Sequence, residues 1–290
     1  MLRFMRLGDG MLARFNGMGV ASPAGLATVL AYDDGPGSIV PEAPQSRYFR
    51  MARGETILFV DGGPPPALDL AGEAHAGCLS FEMSVGTRLL FVNGGVPGPA
   101  DSDWRAVSRA TASHNTLCLA DKSSSKLVQH RHLEALLGSA PIRLPEHVEV
   151  SVRETNENHE LNAAHDGYVG RFGLHHRRRL VLEGSGSRLT GVDRLEPSRG
   201  RLHLSPNVPF AIHFHLHPNV MCRRGSDVGV VTLDPGNGAR WRFLAQGAEV
   251  SMEESTYFAG SAGPRSALQI VLRGKTTGEA EVRWIIETDE

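Results

Sequence analysis

"CLSFEMSVGTRLLFVNGG", residues 78–95, carries the period on which the whole chain is built. Leu79, Phe81 and Met83 alternate with Ser80, Glu82 and Ser84. Apolar and polar residues taking turns at every second position place the two sets on opposite faces of a strand. Gly86 then interrupts the run, and "RLLFVNGG" returns as a second strand, so the stretch predicts a β-hairpin.

The same pattern recurs on both sides of it. "ETILFVDGG" (55–63), "NTLCLAD" (115–121), "EVSVRET" (149–155), "RRLVLEGSGSRLTGVDRLE" (178–196), "RLHLS" (201–205), "FAIHFHLHP" (210–218), "VGVVTLD" (228–234), "ARWRFLAQG" (239–247) and "SALQIVLRG" (266–274) all read as strands. Each is bounded by Gly, Pro, Asn or Asp, the residues that supply turn geometry. Helical signal is thin. "SPAGLATVLAYDD" (22–34) predicts one short helix with Ser22 as cap and Pro23 in its first turn, and "HRHLEALLG" (130–138) is a weaker candidate. The expected class is all-β: stacked antiparallel sheets, a β-sandwich or supersandwich, with little helix.

Composition narrows the function classes. The chain has 290 residues, 41% hydrophobic and 21% charged, with a formal net charge of −2. That supports a sizeable core and provides no overall basic field for nucleic acid or an anionic membrane. The basic run "HHRRR" (175–179) is the clearest local patch. Cys78, Cys118 and Cys222 lie far apart without a CxxC pair, so three separate thiols are expected and no zinc ribbon or disulfide scaffold. No apolar run has the length of a signal peptide or a membrane span, and residue patterns leave the compartment open.

Several histidines are candidates for chemistry. "IHFHLHP" (212–218) puts His213, His215 and His217 on one face of a strand. A cupin-type metal site also needs a glutamate within a few residues, and none follows before Asp227, so these histidines are expected to be structural or to line a cleft. His75 stands at a strand entrance and His114 opens another strand; each alone reads as an ordinary surface or strand-start histidine. His165, Asp166 and Tyr168 flank a glycine-rich turn. On the strand after it, His175, Arg177 and Arg179 share one face, opposite His176 and Arg178. That face suits bidentate binding of a carboxylated sugar or, equally, a charge-guarded edge strand.

In order, "HAGCLSFEMSVGTRLLFVNGG", "WRAVSRATASHNTLCLAD", "HDGYVGRFGLHHRRRLVL" with "LTGVDRLE", and "FHLHP" resemble the C-terminal β-sheet region of heparinase II/III-like polysaccharide lyases. The resemblance spans about residues 55 to 275. It implies a parent with an N-terminal toroid of paired helices and a C-terminal stack of antiparallel sheets. Such enzymes cleave uronic-acid-containing polysaccharides by β-elimination. That requires neutralisation of the carboxylate, a base for the C5 proton and an acid for the leaving oxygen. In the family, tyrosine and histidine of the toroid supply much of this. Residues 1–45 are therefore expected to be a remnant of, or linker from, a helical domain, and 46–290 the β-domain. Little or no turnover is expected from this chain alone. The alternative is a non-catalytic module that binds carbohydrate or a protein partner.

The resemblance also implies a metal, zinc or another divalent ion, on the β-domain. The family pattern "HGHAD" is here Glu73, Ala74, His75, Ala76 and Gly77, so the first histidine and the aspartate are replaced. The next strand ends in Asn93 where the family has an aspartate, and His114 stands in "HNT". A degenerate metal set of His75, Asn93 and His114 is thus implied, with His75 and His114 facing the cleft. Glu73, His165, Tyr168 and Arg177 are the expected substrate contacts. The implied partners are an acidic polysaccharide and a helical toroid domain or a second copy, and the implied setting is the cell envelope or exterior.

Overall fold

A computed structural model describes residues 1–33, 43, 45–98, 104–128, 141–198, 207–225, 229–260 and 263–289. The strand expected at 201–205 and the helix expected at 130–138 lie outside them. Within them the chain is all-β, with three antiparallel sheets.

The first sheet pairs β1 (Tyr48–Arg53), β2 (Thr56–Asp61), β3 (Phe81–Val85) and β4 (Arg88–Phe91) in sequence order. The β3–β4 hairpin is the one read from residues 78–95: Val85 opposes Arg88 across a two-residue turn, and Gly86 there takes φ +53°. β5 (Leu117–Leu119), β10 (Val208–His215), β14 (Glu249–Tyr257) and β15 (Arg265–Thr276) form the second sheet, in the order β14-β15-β10-β5.

The third sheet has eight strands. It contains β6 (Val148–Glu154), β7 (Asn158–His165), β8 (Leu174–Glu183), β9 (Arg188–Pro197), β11 (Met221–Arg224), β12 (Val230–Asp234), β13 (Arg240–Gln246) and β16 (Ala280–Asp289). Their order is β11-β12-β13-β16-β9-β8-β7-β6.

The three sheets share one core. Phe81 of β3 stacks on Trp284 of β16 at 5.8 Å, and Phe214 of β10 meets Trp284 edge-on at 5.0 Å. Each of these aromatics is fully buried, so one cluster cements all three layers. Gly191 on β9 lies directly opposite Trp284, and a Cβ there would sit 2.0 Å from the indole. The ring occupies the space that a side chain would take.

Among the described residues the α-helices are few and short: α1 (Pro23–Ala31), α2 (Arg105–Arg109) and α3 (Val169–Phe172). Ser22 caps α1 as expected, its hydroxyl accepting from the Gly25 amide. No described helix is long and apolar enough to cross a membrane.

All five residues of β3 are buried, the polar ones included. The N-terminal segment covers the second face of this sheet. Phe4, Met5, Leu7, Leu12, Ala13 and Phe15 bury themselves against Phe59. The segment's backbone is tied to the polar set of β3: the Gly8 amide donates to Ser84 Oγ and the Arg14 amide to Glu82 Oε2. Residues 1–15 thus pack onto the first sheet.

Candidate functional site

A cleft of about 450 Å³ opens where the N-terminal segment meets the entrance of β3. Phe15, Asn16, Tyr48, Asp61, Glu73 and His75 line it. Asn16, with φ +53°, ties two walls together. Its Nδ2 donates to Tyr48 Oη at 2.8 Å, and its Oδ1 accepts from the His75 amide at 2.9 Å.

His75 and His114 meet behind this wall, with His75 Nδ1 3.1 Å from His114 Nε2 and the rings at 85°. Burial holds both imidazoles neutral. It pushes His114 down to about 4, and His75 falls well below the ordinary histidine range, helped by the charges of His114, Arg109 and Arg105. Neutrality and the partners then fix the tautomers. His114 Nδ1 lies 2.8 Å from the Ala110 carbonyl, which can only accept, so the proton is on His114 Nδ1. His114 Nε2 is therefore the acceptor and His75 Nδ1 the donor. That leaves His75 Nε2 as a lone pair without a protein partner among the described residues, on a side chain that lines the cleft.

Two acids share the cleft. Burial raises Asp61 to about 7, opposed by a hydrogen bond from the Gly63 amide. Burial, then the charge of Asp61, keeps the Tyr48 phenol protonated well above its usual range. Tyr48 Oη accepts from Asn16 and retains its own proton to donate. The cleft thus offers one fixed acceptor, one carboxyl that gains or loses a proton near neutrality, and one hydroxyl donor. This set suits binding a polyhydroxylated ligand and shuttling a proton to or from it.

The remaining expected site residues are distributed as follows. Glu73 lines the cleft and pairs with Arg105 at 2.7 Å. Asn93 is buried just past β4, but its amide is committed: Oδ1 accepts from the Asn115 amide at 3.0 Å and Nδ2 faces the Arg14 carbonyl. His165 and Tyr168 are buried; Tyr168 Oη donates to the Leu117 carbonyl at 2.8 Å. Arg177 is exposed on the large sheet and paired with Glu196. His213 and His215 are buried on β10 with their rings stacked, and His215 is bonded at both nitrogens, to Ser255 Oγ and the Ala112 carbonyl.

The donor set decides how a divalent metal would fit. Two imidazoles at about 2.0–2.1 Å from a tetrahedral zinc would hold their nitrogens about 3.3–3.4 Å apart, close to the His75–His114 spacing. A third protein ligand is what the site lacks. No other histidine, cysteine or carboxylate among the described residues gathers with these two, and a side chain at position 77 is excluded because its Cβ would meet the His114 ring at 2.7 Å. The described three-residue grouping is elsewhere, at Glu146, His147 and Asp166 on the surface. Zinc sites ordinarily take three protein ligands or more, so the His75 cleft does not fit a resident zinc, and its chemistry is that of its own side chains.

The residues that brace the cleft come from the far sheet. Arg178 on β8 is fully buried and donates from Nε and Nη2 to the two oxygens of Asp193 on β9, at 2.7 and 3.1 Å. Its Nη1 reaches the carbonyls of Leu79 and Asn115 at 2.9 and 2.7 Å, next to the segments that carry His75 and His114. His176 Nε2 and Trp284 Nε1 complete the shell around Asp193. Sequence reading set Arg178 on the face opposite Arg177 without giving it a role. The available signal was register: Arg178 stands in line with Leu180 and Leu182, and Asp193 with Leu189 and Leu195.

Comparison with known proteins agrees with this architecture. The family model for the heparinase II/III-like C-terminal region matches residues 35–285. The FtsZ-localized protein C of Caulobacter vibrioides is 31% identical over 297 residues, covering 97% of this chain and 49% of that protein. The heparan sulfate lyase HepC from Pedobacter heparinus superposes with a TM-score of 0.72 at 14% identity, over 99% of this chain and 45% of HepC. A heparinase III superposes with a TM-score of 0.67 at 13% identity, over 99% and 47%. At such identities the structural matches establish the fold, and the chain spans about half the length of each relative. The chain belongs to the heparinase II/III-like C-terminal family.

Proposed function

We propose that this chain is the glycan-contacting β-domain of a protein built on the heparinase II/III plan, binding an acidic polysaccharide in the His75 cleft and eliminating it weakly or not at all by itself. The observation that supports this is the His75 lone pair, held by His114 and presented to a cleft that also offers Asp61 and Tyr48. The strong acid and base that the family resemblance assigns to a helical toroid have no counterpart among these groups. A companion helical half is therefore part of the reading. α1 supports it: the helix is composed almost wholly of apolar residues, yet Leu26 is its only buried one.

The test is to incubate the purified chain with uronic-acid-containing polysaccharides, following the absorbance of the unsaturated product and, separately, binding. Binding without product is expected, with His75→Ala reducing affinity about tenfold in protein that circular dichroism shows to remain folded. Rapid elimination by this chain alone would defeat the division of labour. Equal affinity in His75→Ala would remove the cleft from the account.

A second reading is favoured by the 31% identity with a protein named for localisation to FtsZ. On it, the chain is a partner-binding module of the division apparatus. Co-sedimentation with FtsZ filaments, unaffected by His75→Ala, would support that reading.

A further inference from the structure

The loop at residues 123–126 separates the His75 cleft from a second cavity. Ser125 lines the first, while Ser123, Ser124 and Lys126 line the second, which measures about 490 Å³. The loop is anchored to the His75 segment, because Ser124 Oγ and Thr111 Oγ1 both reach the Ala76 carbonyl. Two cavities thus lie on either side of one short stretch of chain.

In the middle of the large sheet, on β8, β9 and β16, exposed arginines meet carboxylates: Arg177 with Glu196, Arg179 with Glu160, and Arg194 and Arg283 with Glu281. Around the second cavity Lys126, Arg143 and Arg171 are exposed without a carboxylate partner among the described residues. Glu146 is the one acid among the described residues of the lining, grouped with His147 and Asp166. The Arg143 guanidinium rests over Gly170, where a Cβ would lie 2.1 Å from its Nη1, so a side chain at 170 would displace it. The Arg171 guanidinium lies over the ring of Phe172, half-buried in the wall, 6.0 Å from its centroid.

We infer that this cavity is an acidic-sugar subsite, in which Arg143, Arg171 and Lys126 bind the carboxylate or sulfate of a residue whose chain continues past the loop into the His75 cleft. Guanidinium groups recognise planar oxyanions through paired hydrogen bonds. The identity of the ligand rests on the glycan reading of the His75 cleft; the anion preference rests on the cations themselves.

The test uses a uronate oligosaccharide and the same oligosaccharide with its carboxyls reduced to alcohols. Wild-type protein is expected to bind the acidic form about tenfold more tightly, and the Arg143→Ala/Arg171→Ala double variant to lose that preference. The variant should keep its affinity for the reduced form and its melting temperature. An unchanged preference in the double variant overturns the inference. If wild-type protein binds neither oligosaccharide, the glycan reading falls, and titration with inorganic sulfate decides the anion site separately. Saturable shifts of the Arg143 and Arg171 Nε–H resonances would sustain it, and a linear drift would overturn it.

Discussion

Asp61 shows how a single side chain ties stability to the cleft. Burial raises its carboxyl to about 7, so the folded protein holds a proton that the unfolded chain releases near the ordinary carboxylate pKa. The stability this contributes is fully present below that ordinary value and is lost as pH rises through about 7. Asp61→Asn keeps an oxygen for the Gly63 amide and removes the titration. It is expected to be more stable than wild type by about 4 kcal/mol at pH 8 and about equal to it near pH 4. Urea unfolding at the two pH values checks this; an equal difference at both would show that the carboxyl does not titrate there. Buried histidines act in the opposite sense. His215, lowered to about 3, contributes stability that is present above the unfolded histidine pKa and lost as pH falls. At this scale the sequence named His75 and His114 only by resemblance. Their convergence joins residues 39 apart, and no local pattern encodes such a contact.

At the scale of the element, β8 carries two messages in one alternation. Arg177 and Arg179 face solvent with glutamate partners, whereas His176 and Arg178 face the core. A buried guanidinium is tolerable because every part of its fork is used: two bonds to Asp193 and two to backbone carbonyls. Arg178→Leu leaves Asp193 uncompensated and releases the carbonyls of Leu79 and Asn115. It is expected to cost about 3–5 kcal/mol in denaturant unfolding and to weaken ligand binding at the His75 cleft. A loss of under about 1 kcal/mol would show that the network is not a strut. Strands with apolar alternation or an apolar run between turn residues, such as β3, β10 and β15, were legible in the sequence. β1, β7, β11, β14 and β16 were not among the predicted strands. β7, "NHELNAAH", and β14, "EVSMEESTY", are rich in polar, small and acidic residues, and their pairing is dictated by neighbouring strands.

For the whole molecule, the N-terminal segment divides its residues between two surfaces. Phe4, Leu7 and Phe15 complete the first sheet, while Met1, Leu2, Met18, Val20, Val29 and Tyr32 stand exposed. Apolar groups left exposed in so short a stretch of chain are candidates for a contact surface. The chain is expected to self-associate with rising concentration, and Val29→Ser with Tyr32→Ser to shift it toward monomer in sedimentation velocity. Identical behaviour of the two proteins would show that this surface is not used. By itself, the sequence determined the fold class, the β3–β4 hairpin, the capped helix α1 and the family resemblance, because period-2 alternation, turn residues and ordered motifs are local properties of the chain. The tertiary structure alone decided that the polar face of β3 is covered, that His75 presents a tautomerically fixed lone pair, that Asn93 is spent on backbone, and that Arg178 braces the cleft. Each of these depends on which distant groups share a dry space, where an unmatched donor or charge is costly and every partner must be found across the fold.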